Sequence, residues 1–282
     1  MPRPYRTIKR REAFAFLGGA MLWPLKARAQ TQATSNSAAD NQIGQVATLQ
    51  GNATVTRANA SAALLKVKDA VLKGDELLTG ANSSLGITFD DETTFSLSAN
   101  TRIVINEFVY QEGGKGNRGL FNAARGTVAF VAGFLAKSGD MKITTETAAI
   151  GIRGTTGIID VPEAGAAGEA KVKLYPDADG RVGRIEVFNP QGGRLGTLTQ
   201  GASAFAIRRG AGGQVTATPF RIPPQEAARD RGLVRQVFAS HNIGRQMTIQ
   251  RRQSRRPAPP QQPARPRPNP PKRNPPPPKK RP

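Results

Sequence analysis

The stretch "TTETAAIGIRGTTGIID", Thr144 to Asp160, decides the fold. A β-branched run is cut by Gly151, then Ile-Arg-Gly-Thr-Thr-Gly follows, then apolar residues resume. A phosphate-binding P-loop needs a longer glycine loop ending in Lys-Ser/Thr at the mouth of a helix, where the amides face the anion. The dinucleotide fingerprint likewise needs its glycines to open a helix. Here the glycines lead into "IIDV", another strand pattern. Glycine inside such a pattern marks a bulge or a close backbone approach. The stretch therefore reads as a bend within a sheet. Arg153, with its planar fork of donors, reads as an anchor for a carboxylate or for turn carbonyls.

Outward from this bend, strand patterns continue both ways. In "IGQVATLQGNATVTR" the apolar positions Ile43, Val46 and Leu49 are followed across Gly51 by Ala53 and Val55. "SSLGITFDDETTFSLSANTRIVINEF" gives two runs split by Asp90-Asp91-Glu92-Thr93. "GTVAFVAGFL", "MKITTETAAIGI", "KVKLY", "GRIEVFNP", "GTLTQ" and "SAFAIRR" extend the series. Short β-branched and aromatic runs with frequent turn residues predict an all-β fold over residues 43–218. Sandwich, roll and β-helix share this patterning. "PPQEAARDRGLVRQVFAS" predicts one helix within a C-terminal extension, residues 219–250. Its prolines and Glu226 suit a helix start. Leu233, Val234, Val237 and Phe238 form an apolar stripe that would dock on the sheet or bind a partner.

The chain has 282 residues, one histidine and no cysteine. Disulfides and thiolate metal sites are excluded, and Ser-His-Asp chemistry has only His241 to draw on. His241 itself reads as a helix-end residue, where a cation suits the dipole. The formal charge is +21, of which +6 lies in residues 1–29 and +11 in residues 251–282, leaving +4 for the middle. The basicity belongs to the two ends.

Residues 1–29 read as a secretory signal peptide. Arg10-Arg11 precede an apolar block from Ala13 to Pro24, and Ala27-Arg28-Ala29 supplies small residues for cleavage after Ala29. The arginine pair with Phe14 resembles a twin-arginine signal, with phenylalanine one place late, so Sec and Tat routes both stay open. Residues 30–42 are a polar linker. The expected location is the periplasm or the exterior.

Residues 251–282 combine proline with basic residues and offer no apolar face, so they read as a disordered tail. Its cations, Arg251, Arg252, Arg255, Arg256, Arg265, Arg267, Lys272, Arg273, Lys279, Lys280 and Arg281, form a candidate site for an anionic envelope polymer. No aromatics interleave, so nucleic acid is not expected as a partner.

Two smaller motifs read structurally. Asp177-x-Asp179-Gly180 has part of a calcium-loop spacing but lacks the closing glutamate, and a hairpin turn fits better. Asp90-Asp91-Glu92 could pair carboxylates for acid–base work, but acids in a turn simply meet water. No metal or cofactor is expected.

The ordered landmarks resemble the FecR domain family over about residues 43–210. They are Gly51, Gly74-Asp75, Thr79-Gly80, Ser84, Asp91, Leu97, Asn100-Thr101 and Gly126, then Arg153-Gly154-Thr155. Glu92 stands where the family turn has glycine, which argues against a positive-φ turn there. Signalling members carry a cytoplasmic segment and a membrane helix before the domain, whereas this chain begins with the signal pattern. The resemblance implies an all-β, jelly-roll-like or β-sandwich domain that contacts other proteins, with Gly74, Asp75, Arg153, Gly154 and Thr155 as structural motif residues. The expected function is that of an exported, non-enzymatic module for protein interaction or envelope sensing. The alternative is a structural envelope protein that binds an anionic polymer through its tail.

Overall fold

A computed structural model describes residues 41–255, except 59, 139, 164, 166 and 167. The proposed signal peptide and the residues beyond 255 lie outside the described residues.

The strands are β1 (Gln42–Gln50), β2 (Ala53–Thr56), β3 (Ala63–Leu64), β4 (Ala70–Leu72), β5 (Glu76–Thr79), β6 (Ser84–Phe89), β7 (Thr94–Leu97), β8 (Arg102–Val109) and β9 (Arg118–Val131). A short helix α1 (Phe134–Ser138) precedes β10 (Asp140–Thr144), β11 (Ala149–Arg153), β12 (Thr156–Val161) and β13 (Ala170–Tyr175). Then come β14 (Arg184–Phe188), β15 (Arg194–Leu198), β16 (Ser203–Arg209), β17 (Val215–Pro219) and the long helix α2 (Pro224–Arg255). The all-β sandwich with one long C-terminal helix is thus as expected.

One sheet runs β4-β1-β6-β7-β9-β12-β13-β16-β17. The second runs β3-β2-β5-β8-β9-β10-β11-β14-β15. All pairings are antiparallel except β9 with β10. Strand β9 belongs to both sheets. Arg118 to Arg125 pair with β8, while Gly126 to Val131 pair with β12. Gly126 sits at this corner with φ +91, and a Cβ there would lie 2.5 Å from Thr101 Cα. The Thr144–Asp160 stretch makes a similar move. Strand β11 ends in the second sheet at Arg153, Gly154 adopts φ +55, and β12 resumes in the first sheet. The glycine pattern is therefore a sheet-to-sheet corner, which L side chains tolerate poorly.

The core lies between the sheets, as the period-two pattern requires. Inward positions include Leu85, Ile87, Phe95, Leu97, Val128, Phe130, Ile150, Ile152, Val172, Leu174, Ile185 and Val187, all buried. Phe89, Phe95 and Phe108 surround Phe121 with ring centroids 4.7–6.5 Å away.

Several local expectations are corrected. "GTVAFVAGFL" is not one strand, because β9 ends at Val131 and α1 begins at Phe134. The turn after Asp91 does use positive φ, since Glu92 adopts φ +68. An L residue there carries strain of about 1–2 kcal/mol. Asp177–Gly180 is the expected tight turn, with Gly180 N donating to Asp177 O at 2.9 Å and Asp177 N to Arg181 O at 2.8 Å, but the strands it joins do not pair with each other. It links β13 in the first sheet to β14 in the second. The composition break at Arg251 does not end the helix. Arg251 pairs with Asp90, and Arg252 donates to the Asp90 carbonyl at 2.6 Å while its other nitrogen lies 3.8 Å from Glu112, so both are held by the fold.

Candidate functional site

The family landmarks turn inward. Leu72 N donates to Asp75 Oδ2 at 2.9 Å and Arg57 Nε lies 3.1 Å from Oδ1, so buried Asp75 ties the turn after β4 to the end of β2. Gly74 supplies the turn with φ +85. Thr79 Oγ1 accepts from Thr101 N at 2.9 Å, and Thr101 Oγ1 accepts from Thr127 N at 3.1 Å beside the β9 corner. Thr155 is buried and its hydroxyl donates to Tyr175 O at 3.2 Å. Gly74, Asp75, Gly154 and Thr155 thus build corners and turns. Arg153 is the exception. It is half exposed and only loosely paired, with Nε 3.7 Å from Glu186.

Asp91 does not meet water. It is fully buried, and its carboxylate accepts from Thr93 N at 2.9 Å, Thr93 Oγ1 at 2.6 Å and Leu135 N at 3.0 Å. Burial pushes this carboxyl above the usual range, while the bonds from Thr93 and Leu135 oppose the rise. Its work is to fix the start of α1. Gly133 lies so close that a Cβ would come 2.2 Å from Asp91 O. Next to it, Phe134 N donates to Asp91 O at 2.9 Å while its side chain is exposed.

Helix α2 covers the outer face of the first sheet. Midway, Val237, Leu233, Val234 and Phe238 pack on Ala129, Val131 and Ile158. Its other buried contacts are polar or small. Ser240 Oγ lies 2.8 Å from Thr48 Oγ1. Gly244 rests on β6, where a Cβ would fall 1.7 Å from Thr88 Oγ1. Near its start, the fully buried Lys173 ammonium meets Asp160 at 2.8 Å, Glu226 at 2.7 Å and Asp230 at 2.8 Å. Tyr175 donates to Asp230 at 2.8 Å, and Arg229 lies 3.0 Å from Asp160. Burial alone would lower the Lys173 ammonium, but its carboxylates outweigh that and hold it up. The same pairing holds Asp160 and Glu226 below their ordinary values despite burial.

Two glycines of α2 make opposite predictions. Gly232 has nothing within 4 Å of an added Cβ, so Gly232→Ala is expected to stabilise the chain by about 0.5–1 kcal/mol. Gly244→Ala gains the same helix propensity but must lift the helix from Thr88, an overpacking cost of about 1–3 kcal/mol. Thermal melts of the two variants should move in opposite directions.

Between α1, α2 and the loop after β13 lies a cleft of about 350 Å³. Phe134 and Phe238 give it an apolar wall. Lys137 Nζ sits 5.7 Å from the Phe134 ring centroid. Asp177 takes a hydrogen bond from Thr156 Oγ1 at 2.7 Å, and burial raises its carboxyl above the ordinary value. Arg245 pairs with Glu92 at 3.2 Å across the rim. His241 lines the same cleft, with Nδ1 3.1 Å from Thr94 Oγ1. It is a mid-helix residue rather than a helix-end cation. Sequence reasoning missed this site because its members come from four separate turns of the chain.

Burial pushes the His241 imidazole below its ordinary 6.5, with Glu92 opposing. The folded chain thus binds this proton more weakly than the unfolded chain, and stability falls as pH drops below 6.5. The paired Asp160 and Glu226 act in the same direction, but only below their ordinary 3.8 and 4.5. The raised Asp91 and Asp177 carboxyls act in the opposite direction as pH falls towards their own range. The His241 contribution is therefore read as a difference: melting temperature should fall more steeply below pH 6.5 in the native chain than in His241→Gln.

Among the described residues, no group of three or more His, Asp or Glu side chains is arranged to hold a metal ion, and no helix is long and apolar enough to cross a membrane.

Residues 75–175, from the Asp75 turn to the end of β13, match the family model described as FecR protein. No curated protein matches the chain. Two crystal structures of candidate anti-sigma factors from Parabacteroides distasonis are similar. One is 13% identical with a TM-score of 0.38 over 52% of this chain, and the chain spans 60% of that protein's length. The other is 11% identical with a TM-score of 0.37, over 57% of this chain and 74% of that one.

Proposed function

We propose that the chain is an exported, non-enzymatic FecR-type module that recognises a protein partner in the cell envelope. The α1–α2 cleft carries this reading. It places an exposed aromatic beside cations and carboxylates on rigid elements, an arrangement suited to a protein side chain entering a pocket. The acid cluster considered for catalysis is spent otherwise, with Asp91 fixing α1 and Glu92 paired to Arg245. The FecR match over residues 75–175 supports a regulatory or sensing role. Export rests on the Arg10-Arg11 and Ala27-Arg28-Ala29 pattern. Photoreactive residues at positions 134 and 178, on two rims of the cleft, test the reading in living cells. A discrete crosslinked protein is expected from both. Crosslinks to polymer alone would overturn it.

The second reading, an envelope scaffold, draws on the nine Lys/Arg from Arg255 to Arg281, which face no acid in that stretch of sequence. It requires pelleting with anionic envelope polymer that weakens steeply with salt and disappears when the chain is truncated after Gln253.

A further inference from the structure

On the solvent face of the second sheet, charge is matched unevenly. Arg102 grips Glu76 with two bonds of 2.9 and 2.7 Å, and Arg118 donates to Glu107 at 2.7 Å. Each of these guanidiniums has its own carboxylate. Around β14 the ratio changes. Arg153, Arg184 and Arg194 share Glu186 alone, at 3.7, 3.8 and 3.9 Å. All three distances exceed a hydrogen bond. Arg153 and Arg184 stand directly opposite each other on β11 and β14, a like-charge placement that destabilises a sheet. The three side chains are 51, 48 and 64% exposed, whereas Glu186 is 18% exposed. A groove of about 260 Å³ runs beside them, lined by Gly151, Phe188, Lys142 and Asp140. Lys142 and Asp140 pair with each other at 3.0 Å, so the surplus of two positive charges belongs to the arginine trio.

We propose that this face docks an acidic polypeptide segment of the partner, with the carboxylates of that segment accepting from Arg153, Arg184 and Arg194. The inference rests on the recognition reading above and gives it a charge signature. Three guanidinium forks left without hydrogen bonds among the described residues match carboxylates bidentately. Glu186 lies in the middle of the trio and Asp140 on the rim of the groove. A uniform polyanion would meet both, whereas a peptide can interleave its carboxylates with apolar side chains over Gly151 and Phe188. Arg153 is then more than a corner residue. Held at the end of β11 just before the Gly154 corner, it is fixed by the fold and presented to solvent.

The test is arginine footprinting of the full chain with phenylglyoxal, read by mass spectrometry. The probe is a capped 12-residue peptide of alternating glutamate and leucine at physiological salt. Slower labelling of Arg153, Arg184 and Arg194 is expected when the peptide is present. Arg184→Glu should weaken peptide binding about tenfold or more, as loss of a charge-assisted bond implies. Glu186→Gln should tighten it about threefold by removing the internal competitor, the scale of an exposed ion pair. Unchanged labelling of the trio, with protection confined to arginines beyond 255, would overturn the proposal. So would protection of the trio by polyphosphate or phosphatidylglycerol vesicles but not by the peptide. Either result leaves crosslinking from the α1–α2 cleft intact, so failure here is distinct from failure of the recognition reading.

Discussion

Lys173→Ala is expected to destabilise the fold by about 3–5 kcal/mol, the cost of leaving buried charges without their partner. The ammonium has three protons and faces three carboxylates, from Asp160 on β12 and from Glu226 and Asp230 on α2. Each proton has an acceptor, so the site is saturated. Removal leaves the fully buried Asp230 with Tyr175 and Arg229 but without its ammonium partner, and weakens the hold of α2 on the sheet. Urea denaturation followed by circular dichroism measures the loss. A triple variant, Lys173→Met with Asp230→Leu and Tyr175→Phe, should recover most of it, because a packed apolar site avoids the desolvation cost. If Lys173→Ala shifts the midpoint only slightly, the network is solvated and the helix is held by other contacts.

Phe121→Ala is expected to cost a similar amount, about 3–5 kcal/mol. Phe121 packs against Phe89, Phe95 and Phe108 and lies on β9, the strand common to both sheets. The cavity would open at the joint of the sandwich, where neighbouring strands from two sheets cannot both collapse inward. Phe121→Leu keeps most of the volume and should cost less than about 1.5 kcal/mol. Equal losses for the two substitutions would mean that ring geometry rather than volume holds the joint. The two large predictions are additive, since one concerns the outer face of the first sheet and the other the interior.

Much of the fold was legible because period-two alternation survives in most strands. Leu85, Ile87 and Phe89 alternate with Gly86 and Thr88, and the inward set alone forms the core. At Arg153-Gly154-Thr155 a bend was legible, since a glycine between strand patterns demands a backbone reason, but the passage from one sheet to the other was not. The interface with α2 was harder to read. Its buried helix positions include Asp230, Ser240, Gly244 and Thr248, which carry no apolar signal. Lys173 hid for the same reason. In "KVKLY" the lysines alternate with apolar residues and read as a solvent face, yet that face is covered by a helix more than fifty residues away. Asp91 and Glu92 misled in another way. A run of acids normally marks an exposed turn, and here the turn is pressed against α1 with Asp91 as its buried tie. The cleft depends on contacts between two helices and a loop far apart in the chain, and the arginine face on pairing between distant strands, which no local pattern reports.

The measurement that tests the central claim most directly compares two charge-matched variants of the full chain in partner capture from cells. One removes Lys137 and Arg245 from the rim of the α1–α2 cleft. The other removes Arg265 and Arg267 from the basic stretch 256–282. Each loses two positive charges. If the folded module carries recognition, the first variant loses its protein partner while the second keeps it. Retention by the first and loss by the second would place recognition in the basic C-terminal segment and contradict the account.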